Sequence, residues 1–412
     1  MGRLALLTVC ALAIVAACVD DSNQPGKDAG PDTSVPDTGG PDVAADVAEA
    51  CESGTATCGD AGTCGTELAT DDHNCGACGH DCGGANLCKQ GVCQPMVILD
   101  KIASPIAIAV NGPSVFWYVD GEIDRCPVTG CPSQFPSDVG NGIHVPAHWQ
   151  GGSLYLAVDS TDAWWPGWTT DNSQETVFYC PAAGCGQNNP SSTGAAGDNF
   201  STEMAGNTNL LYYINGNNGT LTRIRKLDRN ATNLGIPLLY ALSHVAADDD
   251  HVLVTDTSGP ANTGGVYVCS DPVTDCTGGF PKLLDNGNLV TTNKTGLFVT
   301  QAGTSPSTQV NVVECDYPSC SGTPTVLATD EHLIAAMTAD ASGVYWATKD
   351  GSIRGCTLPG CAGGVRTWAA TPSTQPQAIA TDADFVYWAD LGTVGDAGGL
   401  IANTGSILRV RK

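Results

Sequence analysis

"MTADASGVYW" (residues 337–346) joins an apolar run, an Asp and an aromatic strand, and this pattern returns six more times in the chain. The other copies align with it without a gap: "IAVNGPSVFW" (108–117), "LAVDSTDAWW" (156–165), "MAGNTNLLYY" (204–213), "VAADDDHVLV" (245–254), "VTTNKTGLFV" (290–299) and "IATDADFVYW" (379–388). Successive Asn or Asp residues in the pattern are 48, 48, 41, 45, 47 and 42 residues apart: Asn111, Asp159, Asn207, Asp248, Asn293, Asp340 and Asp382. Repeats of this length made of short strands predict an all-β fold, a seven-bladed β-propeller with four-stranded blades.

Each repeat contains the signals for four strands. The apolar run is the first strand, and the Asn or Asp then turns the chain, because its side chain can mimic a backbone turn. The aromatic strand is the second, and "GSIRGC" (351–356) is an example of the third. A weaker fourth strand leads to the next repeat.

The two ends of the repeat array predict how the ring closes. The last repeat ends at "GSILRVRK" (405–412), which is a third strand without a fourth. The first repeat is preceded by "PMVILDK" (95–101), which has the pattern of a fourth strand. We therefore expect residues 96–100 to complete the last blade and to leave no long exposed edge. This places the propeller at 94–412.

Composition limits the partners. The chain has 412 residues and a formal net charge of −26, so its surface repels nucleic acid, which we exclude as a partner. It contains 20 cysteines, which form disulfides outside the cytosol but bind metal or take part in catalysis inside it.

The N-terminus, "MGRLALLTVCALAIVAAC" (1–18), indicates export. The apolar run from Leu4 to Ala17 is too short to suit a transmembrane helix and predicts a signal peptide over 1–17. Residues 15–18 resemble the bacterial lipobox, which implies that Cys18 is the first mature residue and carries lipid. An ordinary secretory signal is the alternative. We expect a lipid-anchored protein of the cell envelope, at the outer membrane, in the periplasm or facing the surface.

Two segments separate this anchor from the propeller. Residues 18–50 contain the lipidated cysteine and a tract rich in Asp, Pro and Gly, which predicts a disordered tether. Residues 51–93 contain eight cysteines and few large apolar residues, so this module needs covalent links: Cys51, Cys58, Cys64, Cys75, Cys78, Cys82, Cys88 and Cys93. We expect disulfides, whose pairing the sequence does not choose. The alternative is a metal site, because Cys75 and Cys78 have metal-like spacing.

Residues 74–93 begin with "NCGACGHDC" and resemble the small cysteine-rich repeats of myxobacterial lipoproteins. This resemblance supports an exported module. It does not choose between the possible pairings.

Cysteines inside the propeller come in five neighbouring pairs, each just after a third strand: Cys126 and Cys131, Cys180 and Cys185, Cys269 and Cys276, Cys315 and Cys320, and Cys356 and Cys361. The third and seventh repeats have no cysteine there. Neighbours across a short antiparallel turn lie within disulfide range, so we expect each pair to form a local bond. A metal site would need four ligands to converge from different blades, so we predict neither a metal nor a cofactor.

"VYWAT" (344–348) and "VYWAD" (386–390) resemble the YWTD strand of low-density-lipoprotein-receptor propellers. The sequence departs from that family in an Ala where the family has Thr and in the added cysteine pairs. The resemblance covers about residues 96–412 and implies the propeller fold. Because that family binds proteins, carbohydrates or small ligands, and some relatives are enzymes, the resemblance does not identify the chemistry.

Long loops are expected on one face of the propeller only. They follow second strands in "WPGWTTDNSQET" (165–176), "SGPANTGG" (258–265) and "LGTVGDAGGLIANTGS" (391–406), and a fourth strand in "VGNGIHVPAHWQGG" (139–152). Trp149 and Trp168 fall outside the repeat pattern and are the leading ligand-contact candidates, with His144, His148 and Asp171 nearby. The alternative is that both tryptophans pack their own loops.

The sequence contains no G-x-S-x-G, H-E-x-x-H or phosphate-binding glycine loop, and we assign no catalytic residue. The leading hypothesis is a monomeric, membrane-anchored binding protein whose partner is a protein, a carbohydrate or a small molecule. The alternatives are an exported hydrolase or lyase and an envelope scaffold. Asp248–Asp250 could bind calcium, although they occupy an ordinary turn.

Overall fold

The computed structural model describes residues 55–56, 58, 66–119, 122–132, 137–140, 156–168, 175–185, 190–193, 201–215, 220–234, 242–256, 264–270, 276, 279–303, 309–371, 374–393, 395 and 400–412. The regular structure of these residues is almost entirely β-strand, and none of them lies in an α-helix. The cysteine-rich segment contributes two short hairpins, of β1 (Thr55–Ala56) with β2 (Thr66–Glu67) and of β3 (Cys88–Lys89) with β4 (Val92–Cys93). The predicted signal peptide, Cys18 and the tether lie outside the described residues.

The rest of the chain forms seven antiparallel four-stranded sheets, one for each sequence repeat. Blades 1 and 2 contain β6 (Ala107–Asn111), β7 (Ser114–Val119), β8 (Glu122–Pro127), β9 (Ser137–Gly140), β10 (Ala157–Val158), β11 (Asp162–Trp168), β12 (Glu175–Pro181) and β13 (Ser191–Ser192). Blades 3 and 4 contain β14 (Ser201–Gly206), β15 (Leu210–Asn215), β16 (Thr220–Arg225), β17 (Ala231–Asn233), β18 (Leu242–Ala247), β19 (Val252–Asp256), β20 (Gly265–Cys269) and β21 (Lys282–Asp285).

Blades 5 and 6 contain β22 (Gly287–Thr292), β23 (Gly296–Ala302), β24 (Gln309–Asp316), β25 (Thr325–His332), β26 (Ile334–Ala339), β27 (Gly343–Thr348), β28 (Ser352–Thr357) and β29 (Arg366–Ala370). Blade 7 contains β30 (Thr374–Thr381), β31 (Phe385–Thr393), β32 (Gly405–Arg411) and β5 (Met96–Ile102). The first strand of each later blade contacts that of its neighbour, and β30 of blade 7 contacts β6 of blade 1. The predicted fold, a seven-bladed propeller, is confirmed.

The N-terminal strand closes the ring as the sequence predicts. β5 pairs antiparallel with β32, with Leu99 opposite Ile407 and Val97 opposite Leu408. Ile98 and Leu99 are buried in one apolar cluster with Ile407 of blade 7 and Trp117 of blade 1. Ring closure therefore rests on backbone pairing and on a shared core.

Aromatic residues six positions after the turn residue fill the spaces between blades. Trp117, Trp165, Trp346 and Trp388 are all buried. Trp346 of blade 6 packs with Phe298 of blade 5, and Trp388 of blade 7 packs with Tyr345 of blade 6. Their core role, predicted from the repeat, is confirmed.

Six of the seven turns between a first and a second strand are closed by the side chain of their Asn or Asp. In blade 6, Oδ1 of Asp340 accepts hydrogen bonds from the backbone N–H groups of Ser342 (2.7 Å) and Gly343 (3.1 Å). The same two bonds occur at five other turn residues: Asp159, Asn207, Asp248, Asn293 and Asp382. The turn after Asn111 differs because its second residue is Pro113, which has no N–H.

Asn residues in these turns also link each blade to the next. Nδ2 of Asn207 donates to the backbone oxygen of Asp248 (2.7 Å), and Nδ2 of Asn293 donates to that of Asp340 (2.9 Å). Asn111 makes the same bond to the backbone oxygen of Asp159. Blades 1 and 2, 3 and 4, and 5 and 6 are joined in this way.

An Asp in the same position has no N–H to donate, and a side chain of the following blade supplies the link. Nζ of Lys226 contacts both Oδ2 of Asp159 (2.8 Å) and the backbone oxygen of Asn207 (2.8 Å). Nζ of Lys412 makes the corresponding contacts with the carboxylate of Asp340 and the backbone oxygen of Asp382. Blades 2 and 3 and blades 6 and 7 are joined by these lysines.

Tyr317 fills the same role for blade 4, because its hydroxyl donates to Oδ2 of Asp248. The linking residues share one position of the repeat, directly after the third-strand residue that pairs with the start of the second strand: Lys226, Tyr317 and Lys412. The two lysines belong to blades 3 and 7, which have no cysteine pair. Asp382 of blade 7 instead accepts from Tyr387 of its own blade (2.6 Å).

The described part of the cysteine-rich module packs on the last two blades. Cys75, Cys82, Cys88 and Cys93 share one buried cluster with Trp368 of blade 6 and Val410 of blade 7. The rings of His80 and Trp368 are nearly perpendicular, with their centroids 5.0 Å apart, and Nη1 of Arg411 lies 2.7 Å from Oδ2 of Asp81. The module therefore covers apolar surface beside the closing strand.

Replacing Lys226 with Met should lower the free energy of unfolding by about 1–3 kcal/mol, because it leaves a half-buried carboxylate without its charged donor. Adding Asp159→Asn should recover most of this loss, because the new amide can donate to the backbone oxygen of Asn207 as Asn111 does in the preceding blade. Urea unfolding at neutral pH measures both effects. Asn207→Asp is the control and should be destabilising. A double variant no more stable than Lys226→Met would contradict the account.

The wild type and the same variants should also differ in how their stability changes at acidic pH. Burial opposes ionisation of Asp159, but hydrogen bonds from Lys226, Thr161 and Asp162 hold its pKa well below the ordinary value. The stability that ionised Asp159 supplies is complete above its unfolded pKa of about 4 and is lost as the pH falls through the lower folded pKa. The wild type should therefore lose more stability below pH ~4 than the double variant.

Truncation separates the roles of the module and of the closing strand. Deleting 19–93 should lower the melting temperature, because it uncovers Trp368, which is 1% exposed. Deleting 19–101 should lower it further, because it also removes β5 and leaves β32 unpaired. Differential scanning calorimetry of the three proteins gives the order. Equal stability of the two truncations would contradict closure by β5.

Candidate functional site

The two faces of the propeller are built differently. One face carries the first-to-second turns, with their linked Asn and Asp residues, and the third-to-fourth turns. Disulfides close five of the latter turns, with Cα–Cα distances of 5.0, 5.3, 5.5, 4.8 and 5.1 Å: Cys126–Cys131, Cys180–Cys185, Cys269–Cys276, Cys315–Cys320 and Cys356–Cys361. This face is tied both within and between blades.

Strands on the other face border the long loops. In blade 2, β11 ends at Trp168 and β12 begins at Glu175, and these two residues pair across the sheet. In blade 4, β19 ends at Asp256 and β20 begins at Gly265. In both blades, the two strand residues that flank the loop are paired with each other, so a rigid scaffold fixes the ends of the loop.

Most of the predicted contact residues lie outside the described residues. This applies to Trp149, His144, His148 and Asp171. Trp168 is described only in its backbone, as the last residue of β11. The role of all five residues as ligand contacts stays a prediction.

The central channel contains a cavity near this loop-bearing face, where the first strands begin. Its empty volume is about 480 Å³, including its mouth. All seven blades contribute to the lining: Ala107, Ile108, Leu156, Glu203, His244, Leu289, Val290, Ala336, Met337, Gln377, Ala378 and Ile379. The lining is mainly aliphatic, which is typical of a small-molecule pocket with few polar groups.

A carboxylate and an imidazole from adjacent blades meet in this lining. Oε2 of Glu203 lies 2.8 Å from Nδ1 of His244, and it also accepts the backbone N–H of Val245 (2.9 Å). Glu203 is 5% exposed, whereas the His244 side chain is 19% exposed. The carboxylate therefore holds the imidazole at the cavity wall, and the other lining residues that the structure describes carry no charge.

The sequence analysis did not select Glu203 or His244, although the repeat contains a signal for them. Both stand four residues before the turn residue, where four other repeats have Ala107, Leu289, Ala336 and Ala378. The remaining repeat has Tyr155 there, so an acid and a histidine at an otherwise aliphatic or aromatic position were visible in the sequence. Their contact was not, since they are 41 residues apart.

On the opposite face, the acidic turn at 248–250 is used for links between blades. Asp248 is bound by its own turn and by Tyr317. Oδ2 of Asp249 lies 2.9 Å from Nζ of Lys294, and Oδ1 accepts the backbone N–H of Thr208 (3.1 Å). The hydrogen bond from Lys294, with those from Thr208, lowers the pKa of Asp249 to about 2. The carboxylates of Asp248 and Asp249, which could bind calcium according to the sequence, therefore already accept hydrogen bonds from protein groups.

Three disulfides are described in the cysteine-rich module: Cys58–Cys78, Cys75–Cys88 and Cys82–Cys93. Sulfur atoms of Cys75, Cys82 and Cys93 lie within 4.8 Å of one another, but each is bonded in one of these disulfides. Many disulfides in both parts of the chain indicate an oxidising, extracytoplasmic location. In the described part of the chain, no helix has the length and apolar character needed to cross a membrane.

Comparison with known proteins shows the fold alone. No protein-family model matches the chain, and no curated protein matches it. A structure of U3-55K matches with a TM-score of 0.55 and 11% identity, over 77% of this chain and 98% of that one. The RRP9 WD40 repeats give 0.55 and 10%, over 77% and 97%. The WD40 β-propeller domain of Doa1 gives 0.51 and 9%, over 75% and 93%. These likenesses support a β-propeller.

Proposed function

We propose that the chain is an exported, lipid-anchored binding protein of the cell envelope that holds its partner on the loop-bearing face of the propeller. The difference between the two faces carries this proposal. Disulfides, lysine links and Asn bridges tie one face, while the long loops and the channel cavity share the other. Recognition residues usually lie in loops on a rigid scaffold.

The N-terminal part of the proposal rests on sequence. Cys18 is the proposed lipid attachment site, and residues 19–50 are a spacer that holds the folded part away from the membrane. The partner is a protein, a carbohydrate or a small molecule, in keeping with the YWTD resemblance of residues 344–348 and 386–390. The net charge of −26 makes nucleic acid a poor partner.

One observation favours the alternative of an exported hydrolase or lyase. A histidine oriented by a carboxylate, as His244 is by Glu203, is a general-base arrangement. Among the described lining residues there is no second acid and no nucleophilic Ser or Cys beside this pair. Binding is therefore the better supported function of the described cavity.

Replacing Trp149 or Trp168 with Ala should weaken partner binding by about 2 kcal/mol, because each would remove a large rigid contact surface. The chain, immobilised through its C-terminus, is screened against a glycan array and a cell-envelope extract. The strongest binder is then titrated against each variant. Both variants should keep the melting temperature of the wild type.

Trp346→Ala is the matched control, because Trp346 is fully buried and its Nε1 donates to Glu331 (3.2 Å). It should cost about 3–5 kcal/mol of stability by opening a cavity between blades. If the two loop variants are as unstable as Trp346→Ala, the loop tryptophans pack the fold and the proposed face loses its anchors.

Replacing Cys18 with Ser should release the protein from the membrane fraction, since the hydroxyl cannot take the thioether-linked lipid. Immunoblotting of separated membrane and soluble fractions measures the change. Cys10→Ser, within the predicted signal peptide, is the control and should stay membrane-bound. A Cys18→Ser protein that remains in the membrane fraction would rule out the lipid anchor.

A further inference from the structure

The chain contains four sequences of the type Asn-x-Ser or Asn-x-Thr with x other than Pro, the acceptor sequence for N-linked glycans in exported proteins. The acceptor residues are Asn199, Asn218, Asn230 and Asn293. Asn199 and Asn218 lie outside the described residues. The structure distinguishes between the other two, because it shows what each asparagine already does in the fold.

Asn293 is used by the propeller itself. Its Oδ1 accepts the backbone N–H groups of Thr295 (3.0 Å) and Gly296 (2.8 Å). Its Nδ2 donates to the backbone oxygen of Asp340 (2.9 Å) and so joins blades 5 and 6. The nitrogen atom that would carry a glycan is therefore the one that links the blades, and the fold excludes Asn293 as an acceptor.

Asn230 has the opposite character. It is exposed and ends the third-to-fourth turn of blade 3, directly before β17. Its backbone is fixed, because its N–H donates to Oδ1 of Asp228 (3.1 Å) and its oxygen accepts the N–H of Arg225 (3.0 Å). Within the described residues its side-chain amide makes no hydrogen bond. The fold therefore does not use the nitrogen atom that a glycan needs.

The turn that presents Asn230 is held in place without a disulfide. Nη2 of Arg229 lies 2.7 Å from Oδ2 of Asp162, and the Arg229 guanidinium lies 4.3 Å from the centroid of the Trp164 ring in blade 2. Thr232, the third residue of the acceptor sequence, lies in the outermost strand of blade 3 and is only partly buried. Both side chains that define the acceptor sequence are thus accessible at the surface of a fixed turn.

The position of Asn230 suits a glycan in two further ways. An N-linked glycan is added outside the cytosol, the location that the disulfides of this chain indicate. The turn lies on the tied face of the propeller, so a glycan there leaves the loop-bearing face uncovered. Leu227 in the same turn is 97% exposed, and a hydrophilic glycan beside it would cover an apolar side chain that the fold leaves in water.

We propose that Asn230 carries an N-linked glycan, added by an extracytoplasmic oligosaccharyltransferase from a lipid-diphosphate-linked oligosaccharide. Nδ2 of Asn230 forms a bond to the anomeric carbon of the oligosaccharide, and the bond from that carbon to the phosphate oxygen breaks. The lipid diphosphate leaves with the bonding electrons, and Nδ2 releases one proton. This site goes beyond the proposed function, because it needs export but neither the lipid anchor nor any loop residue.

Mass spectrometry of the full chain, purified from its natural source, tests the proposal. A peptide that spans residues 228–234 should carry the added mass of an oligosaccharide. Electron-transfer fragmentation, which preserves the bond between the glycan and nitrogen, should locate that mass on Asn230. The peptide that contains Asn293 should be unmodified. A glycan on Asn293, or an Asn230 peptide found only in unmodified form, would overturn the proposal.

Variants produced in the same source separate recognition from folding. Asn230→Gln should lose the glycan and keep its fold, because the backbone bonds of residue 230 remain. Thr232→Ala should also lose the glycan, whereas Thr232→Ser is the matched control and should keep it, because Ser retains the hydroxyl. A folded Thr232→Ala protein with full glycan occupancy would contradict recognition of the acceptor sequence.

Two further variants distinguish this proposal from the others. Asn293→Gln should keep the glycan on Asn230 although it disturbs the link between blades 5 and 6. Trp149→Ala should also keep the glycan, whatever its effect on partner binding. A failure of the loop-face proposal therefore leaves this site intact, and an unmodified Asn230 leaves the loop-face proposal intact.

Discussion

The side chain at each first-to-second turn has to satisfy two demands, and the arrangement of the ring depends on this constraint. In six of the seven turns Oδ1 closes the turn itself, and in every turn except that of Asp382 the second side-chain atom contacts the next blade. Asn meets the second demand by donating Nδ2, as Asn207 does to the backbone of Asp248. Asp cannot donate, so the following blade supplies a cation or hydroxyl, as Lys226 does for Asp159. These links join neighbouring sheets at six of the seven junctions of the ring.

The end of the third strand carries a disulfide in some blades and a lysine link in the others. Five blades close these turns with disulfides, and the two blades without one place Lys226 and Lys412 in the corresponding region. The two solutions act differently. A disulfide restricts the unfolded chain within one blade, whereas a lysine joins two blades in the folded state. The cysteine-rich module adds a third kind of link, because it buries Trp368 beside the strand that closes the ring.

Tying one face has a consequence for the other. Loops that follow the second and fourth strands need not contribute to blade contacts, so their length and sequence are free to serve binding. Inner strands bring every blade to the channel, where one residue from each repeat meets the others. A change at a single register position, from Ala to Glu or His, is then enough to build a polar wall in an aliphatic cavity. Loop face and channel are thus two independent places for recognition on one scaffold.

The sequence by itself determined the number of blades, the position of each turn, the buried role of Trp346 and the use of residues 96–100 as the closing strand. These features follow from local patterns, because strand alternation and turn chemistry act over a few residues and repeat at a nearly constant spacing. Only the tertiary structure decided that Glu203 meets His244, that Lys412 reaches Asp340 and that His80 covers Trp368. Partners in these pairs lie on different blades or modules. Their contact depends on the curvature and closure of the whole ring, which no local pattern contains.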